Sequence, residues 1–402
     1  MQIRIGNLVI LKNTQDIGIK ILTFYFVIYP IMVIFKEHTK YWYFLFGIPF
    51  FIFILMYIYR KKMNYNKLIT VMGVLIGFSI ISLLTVYMEK YLYNWFGMCI
   101  ILFVYCFPWF LLTLVENKWE NFTDIICKKT PFMFITVLIL YLHDTITGVS
   151  MNGNMQLSYA AMPVIIFSLY DFFENRRVYQ LGIAIILSIM IVLFGSRGPL
   201  ICIMAFLLFY FIKNLKRQIL IVMSFPLLLF GIGFNFENII NIIAKILDKY
   251  SISSRTIYKL MSGTITSNTG RDKIQNIVVT LIKGNFLTGV GIGGERISIN
   301  EGIYNMTKNM GSCYPHNIIL EVLVQYGVLI GGLLIIWFII KCITVYKNNK
   351  SKRSAIIILV SICVIHLMVS SSYLEEPMFF ALLGMLMNAN ISDSHSNEYI
   401  TP

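Results

Sequence analysis

The chain has 402 residues, of which 58% are hydrophobic, 15% aromatic and only 13% charged, with a mean hydropathy of +0.76. Soluble domains carry about a quarter charged residues, so this composition excludes one and predicts an integral membrane protein. The net charge of +14 would point to nucleic acid in a soluble chain, but here the basic residues gather in short loops, where they set topology and face anionic headgroups; no nucleic-acid partner is expected.

A span needs about 20 mainly apolar residues, each rising about 1.5 Å through a hydrocarbon core of about 30 Å. Applied in chain order, that rule predicts about twelve transmembrane helices, near 18–35, 41–59, 68–88, 92–115, 131–147, 157–171, 178–195, 198–212, 218–236, 318–340, 354–372 and 376–390. Residues 1–17 are too polar, and the first apolar run too long, for a cleaved signal peptide, so the first helix is read as retained.

Orientation follows from Lys and Arg. Arg60-Lys61-Lys62, Lys118 with Lys128-Lys129, Arg176-Arg177, the group Lys213, Lys216 and Arg217, and the run from Lys341 to Arg353 fall in alternate loops. The opposite short loops hold Lys36, Lys40, Lys90 and Arg197. Short cytoplasmic loops carry the basic excess, which puts both termini inside and the polar interval 237–315 outside. The expected organisation is all-α: an N-terminal transmembrane bundle over 1–236, a large external loop with short helices over 237–315, further transmembrane helices over 316–390 and a cytoplasmic tail over 391–402.

Cys99, Cys106, Cys127, Cys202, Cys342 and Cys363 lie within or beside spans and only Cys313 is external, so no disulfide framework is expected. No CxxC pair or zinc-spaced Cys/His set occurs. His316 and Glu321 are five apart and do not share a helix face as a metal pair would. Neither a metal nor a cofactor is expected.

The external interval is too long for a bare connector. Residues 237–250 put Ile239, Ile243, Ile246 and Tyr250 on one face, the spacing of an amphipathic helix. A second helix starts at Asn268 or Thr269 and runs through Ile274, Ile277, Val278 and Leu281 to Gly284. Arg271 sits in its first turn, where free N–H groups and a guanidinium together suit an anion; the alternative is a solvated surface arginine. Gly289, Gly291 and Gly293 follow in a run that mimics a dinucleotide motif without its βαβ context. These glycines allow turns and close backbone approach, either to neighbouring helices or to a ligand phosphate.

Polar groups in costly places complete the picture. Arg197 in Gly195-Ser196-Arg197-Gly198 lies between two apolar runs, where an arginine costs about 2.5 to 3.5 kcal/mol unless it snorkels to the interface. His316 opens an apolar helix carrying Asn317, Glu321 and Gln325 on one face. Lipid cannot satisfy such a stripe, so it points at a cavity or another helix. His143-Asp144 and Glu375-Glu376 are rival acid/base pairs or simple markers of the interface.

Ser196-Arg197-Gly198 opening a helix, Gly270-Arg271 before a helix leading to Gly289-Val290-Gly291-Ile292-Gly293, and Pro315-His316-Asn317 followed by Leu320-Glu321 and Gly327 together resemble the O-antigen polymerase and O-antigen ligase superfamily. The resemblance covers roughly 180–390. It implies a bacterial inner-membrane, metal-independent glycosyltransferase of the multi-pass, GT-C-like type, acting on the outer face. It implies catalytic roles for His316, Arg197 and Arg271, with Ser196, Gly289, Gly291, Gly293, Asn317 and Glu321 as substrate-binding positions. The implied partners are an undecaprenyl-diphosphate-linked glycan, membrane lipids, a chain-length regulator and a flippase. The chemistry suits these residue types: arginine forks bind phosphate oxygens and a histidine accepts the proton of an acceptor hydroxyl. Expected first is a polymerase of O-antigen or capsule repeat units. A ligase passing finished glycan to a lipid A core is the second reading. A lipid-linked-glycan flippase is a non-enzymatic third, but the internal repeat typical of transporters is not visible.

Overall fold

A computed structural model describes residues 4–5, 8–9, 16–38, 42–60, 97–147, 151–194, 197–214, 271–307 and 314–388, with single residues 73, 241 and 245. Among the described residues the protein is helical, apart from a two-residue antiparallel pairing of β1 (Arg4–Ile5) with β2 (Leu8–Val9). The expected spans near 68–88 and 218–236 and the expected amphipathic helix over 237–250 lie outside the described residues.

The N-terminal half supplies α1 (Ile17–His38), α2 (Trp42–Arg60), a π-helical turn at Ile101–Cys106 that continues as α3 (Phe107–Val115), α4 (Glu120–Cys127), α5 (Thr130–Thr147), α6 (Met151–Asn175), α7 (Val178–Phe194) and α8 (Arg197–Lys213). The loop region supplies α9 (Arg271–Gly284) and α10 (Glu295–Thr307). The C-terminal part supplies α11 (Ile318–Asn348), α12 (Arg353–Leu359), a π-helical turn at Val360–Val364 leading into α13 (Ile365–Val369), and α14 (Pro377–Met387).

Among the described residues four helices are both long and apolar enough to cross a membrane: Gly97–Val115, Gln156–Asn175, Ile318–Asn348 and Lys350–Val369. A fifth follows if α4 and the start of α5, bent by 49°, make one broken span. The outward faces agree. Leu329, Ile330, Leu333, Ile336, Ile340 and Ile343 on α11, and Ile48, Ile52, Phe53 and Met56 on α2, are exposed. A soluble monomer does not leave apolar stripes of that extent in water; the protein is membrane-embedded.

One continuous core joins α1–α8 with α11–α14, in which α14 packs along α3, and α6 against α5, α7 and α8. A second, smaller core holds Ile274 and Val278 of α9, Ile299 of α10 and Val324 of α11. The residues expected to form the apolar face of the loop helix therefore do bury, and they seat the loop on the first turns of α11. The helix α10 was not anticipated from the sequence; its residues carry little amphipathic pattern.

The run 318–340, expected as one straight span, is bent. Gly327 has φ 75° and ψ 166° inside α11, and the position of a Cβ on Gly331 lies 2.9 Å from the Val322 carbonyl oxygen. In a continuous helix those two residues would stand about 13.5 Å apart along the axis. The arm 318–326 thus folds back at an acute corner. The remaining arm, 328–348, is by itself about 30 Å long, enough to cross the hydrocarbon core.

Candidate functional site

The corner in α11 explains the glycine run. Unwinding at Gly327 frees backbone groups that must find partners, and the 286–291 turn supplies them. Val290 N–H donates to Val324 C=O at 2.8 Å, Gly291 N–H to Gln325 C=O at 3.1 Å, and Val328 N–H to Phe286 C=O at 2.8 Å. Gly289, Gly291 and Gly293 all have positive φ, and a Cβ on Gly289 would overlap the Gln325 carbonyl. Gly289 and Gly291 approach the backbone of α11 closely, which is one of the two alternatives open in the sequence.

The polar stripe below His316 also finds protein partners. The Asn317 side-chain oxygen caps α11, accepting from the N–H groups of Ile319 and Leu320 at 2.9 and 3.2 Å. Glu321 is fully buried and accepts from Ser372 Oγ and from the Tyr373 N–H. Gln325 donates to Glu295 Oε1 at 2.8 Å and accepts from the Tyr373 hydroxyl. Arg296 then clamps the far side, donating to Glu375 Oε1 and to Ser372 Oγ, each at 2.9 Å. Burial alone would lower the Arg296 guanidinium, but Glu375, Glu295 and Glu321 hold it above its ordinary value. Burial raises the Glu295 carboxyl, with Arg296 and the Gln325 bond pulling the other way. Three carboxylates around one arginine tie α10, the short arm of α11 and the 370–376 segment into one unit.

His316 stands immediately before that unit. Its φ is 55°, a left-handed conformation that non-glycine residues adopt rarely and that concentrates at functional sites. Its ring packs on Tyr314 with centroids 4.2 Å apart. Nδ1 is buried and has no hydrogen-bond partner among the described residues. Burial first, and the Arg271 charge second, pull its pKa down to about 4.

Arg271, which the sequence places in the first turn of α9, is the first described residue of that helix, and its Nη1 donates to Val369 C=O at 2.9 Å. The structure thus brings His316 and Arg271 together at the C-terminal end of α13. Arg197 opens α8, also as expected; Ser196 and the side chain of Arg197 lie outside the described residues. The start of α8 nonetheless reaches the same place, because Gly198 packs so tightly on the Tyr159 hydroxyl that a Cβ would overlap it. Tyr159 in turn is hydrogen-bonded to Ser370 and feels the Arg271 charge.

Beneath this cluster lies a cavity of about 280 Å³, walled by Tyr25, Tyr29 and Met32 of α1, Tyr105, Gln156 and Tyr159 of α6, Tyr314, His366, and Ser370, Ser371, Glu375 and Glu376. Ser371, at φ 62°, is a second strained non-glycine residue at this spot. The rings of Tyr159 and His366 lie 4.2 Å apart, and His366 Nδ1 stands 3.6 Å from Glu376 Oε2. The π-helical turn at Ile101–Cys106 contributes Tyr105 to this cavity, as such turns often do at functional sites. The sequence flagged Glu375-Glu376 as a rival pair but passed over His366 and Tyr159. The signal for His366 was present: an ionisable side chain inside an apolar run. The other rival, His143, is exposed on α5 and does not line this cavity.

Residues 182–336 match the family model described as O-antigen ligase. No curated protein matches the chain. The matched stretch runs from α7 through the loop helices to the long arm of α11, and so contains Arg197, Arg271, the glycine turn and His316.

Proposed function

We propose that this member of the O-antigen polymerase and ligase superfamily is a multi-pass glycosyltransferase of the bacterial inner membrane that polymerises lipid-linked repeat units of O-antigen or capsule on the outer face. In this reading the growing glycan moves from undecaprenyl diphosphate to a hydroxyl of the next subunit. Arg271 and Arg197 bind the diphosphate and stabilise its charge as the anomeric carbon–oxygen bond breaks. His316 accepts the proton of the acceptor hydroxyl.

One observation carries the reading: His316 and Arg271 meet over a polar cavity inside an apolar bundle, at the start of the helix that Arg197 opens. A cation beside a neutral imidazole suits an anionic leaving group next to a hydroxyl acceptor. Glu321 and Asn317, engaged in protein contacts, support the site by positioning the short arm of α11 beneath His316. The description of the matched family favours a second reading, a ligase that passes finished glycan to a lipid A core.

The test is purified protein in lipid supplied with undecaprenyl-diphosphate-linked repeat units. Longer glycan without another enzyme is the expected result. Transfer only to an added lipid A core would establish the ligase, and transfer to neither acceptor would overturn both readings. Full chain growth by Arg197→Ala, Arg271→Ala or His316→Ala would overturn the site.

A further inference from the structure

The arginines and His316 account for the diphosphate and the proton, but not for the cavity below them. Its walls carry five tyrosines, a histidine and two glutamates. Titratable groups inside a membrane body are costly and face cavities or partners rather than lipid. The two glutamates differ. Glu375 is tied to Arg296 at 2.9 Å. Glu376 is 7% exposed, and among the described residues the only polar contact of its carboxylate is His366 Nδ1 at 3.6 Å, longer than a hydrogen bond. Its acceptor capacity is therefore open to whatever fills the cavity.

We propose that this cavity is a subsite for one neutral sugar ring of the acceptor glycan, and that Glu376, backed by His366, is a specificity residue for its hydroxyls. The proposal rests on the glycosyl-transfer reading and deepens it. Aromatic rings such as Tyr29 and Tyr159 offer apolar faces with polar tips, which match the two-faced character of a pyranose. A carboxylate accepts from sugar hydroxyls through charge-assisted bonds. The volume, about 280 Å³, lies at the lower edge of ligand pockets and suits a single ring rather than a chain. Charge sorts the ligands: Glu376 repels a diphosphate or a uronic acid from the cavity, while Arg271 and His316 at its lip receive the phosphate. The two halves of the reaction are thereby kept on different sides of Tyr314 and Ser370.

The experiment uses the full-length protein in detergent micelles and saturation-transfer NMR with methyl glycosides of glucose, galactose, mannose, N-acetylglucosamine, N-acetylgalactosamine and glucuronic acid. At least one neutral glycoside is expected to bind in the millimolar range, and the glucuronide is not. Glu376→Gln is expected to weaken that binding about tenfold, the scale of a lost charge-assisted bond. Met32→Trp, which fills the cavity from α1, is expected to abolish it and decides the matter if Glu376→Gln does not fold. Arg271→Ala should bind the glycoside as the wild type does. Binding of no neutral glycoside, unchanged binding in Glu376→Gln or in Met32→Trp, or preferred binding of the glucuronide would overturn the subsite. Chain growth that still depends on Arg271 and His316 would then leave the transferase reading standing; chain growth indifferent to both would overturn that reading while glycoside binding survives.

Discussion

The base proposed for this site, His316, has its pKa lowered by burial and by its neighbour Arg271. With the site empty, burial and the Arg271 charge hold His316 near a pKa of about 4, so the imidazole is neutral at pH 7 and becomes protonated only as the pH falls through that value. A base so weak abstracts a hydroxyl proton inefficiently. A diphosphate bound at Arg271 would compensate the guanidinium and remove the second cause of the depression, raising the basicity of His316 when an acceptor needs it. The acid limb of kcat/KM, which reports the free enzyme, is therefore expected near pH 4, and the acid limb of kcat at higher pH. Rates of chain growth measured across pH at low and at saturating donor check this; coincident limbs would remove Arg271 from the control of His316. His316→Ala should lose about 10² to 10⁴ in kcat, the usual contribution of a positioned base. Arg271→Lys keeps the charge but not the planar fork, so kcat/KM should fall about tenfold while the limb assigned to His316 stays in place.

Among the elements, the corner of α11 and the glycine turn depend on each other. Gly289 and Gly327 both have positive φ, and a Cβ on either would run into a backbone carbonyl of the other segment. Gly289→Ala and Gly327→Ala are each expected to cost more than about 2 kcal/mol, since left-handed strain alone is about 1 to 3 kcal/mol. Gly332→Ala, whose added Cβ would meet no described atom within 4 Å beyond the adjacent backbone of its own helix, should be neutral or slightly stabilising. Thermal unfolding in detergent, read beside chain growth, separates the two classes. The same elements show what a sequence can reveal. Helix α9 was legible because Ile274, Ile277, Val278 and Leu281 repeat at helical spacing; the expected start at Asn268 or Thr269 lies outside the described residues. The corner was not, because one glycine in an apolar run is compatible with an unbroken helix. Only the hydrogen bonds of the 286–291 turn to α11 reveal that Gly327 is where the chain turns back.

At the scale of the molecule, the cavity joins residues that no local pattern connects. Tyr25, Tyr159, His366 and Glu376 come from α1, α6, α13 and the turn before α14, and a tyrosine in an apolar run reads equally well as packing. The positions of His316, Arg271 and Arg197 at or near helix starts were legible because each is a charge or an imidazole beside a run of helical spacing. The orientation of the whole assembly is the remaining consequence of that charge pattern, and α11 allows it to be tested. From the corner at Gly327 to Lys347 is about 30 Å of helix, the thickness of the hydrocarbon core. The loop helices sit at the corner, and Lys347 lies among the basic residues that mark a cytoplasmic loop. In a background without the seven native cysteines, Lys283→Cys on the exposed side of α9 should react with a membrane-impermeant maleimide in intact spheroplasts. Lys347→Cys, equally exposed at the other end of α11, should react only after permeabilisation. The reverse pattern would place His316 on the cytoplasmic face, where lipid-linked repeat units exported by a flippase could not reach it, and labelling of both positions in intact cells would mean that the arm 328–348 does not cross the membrane.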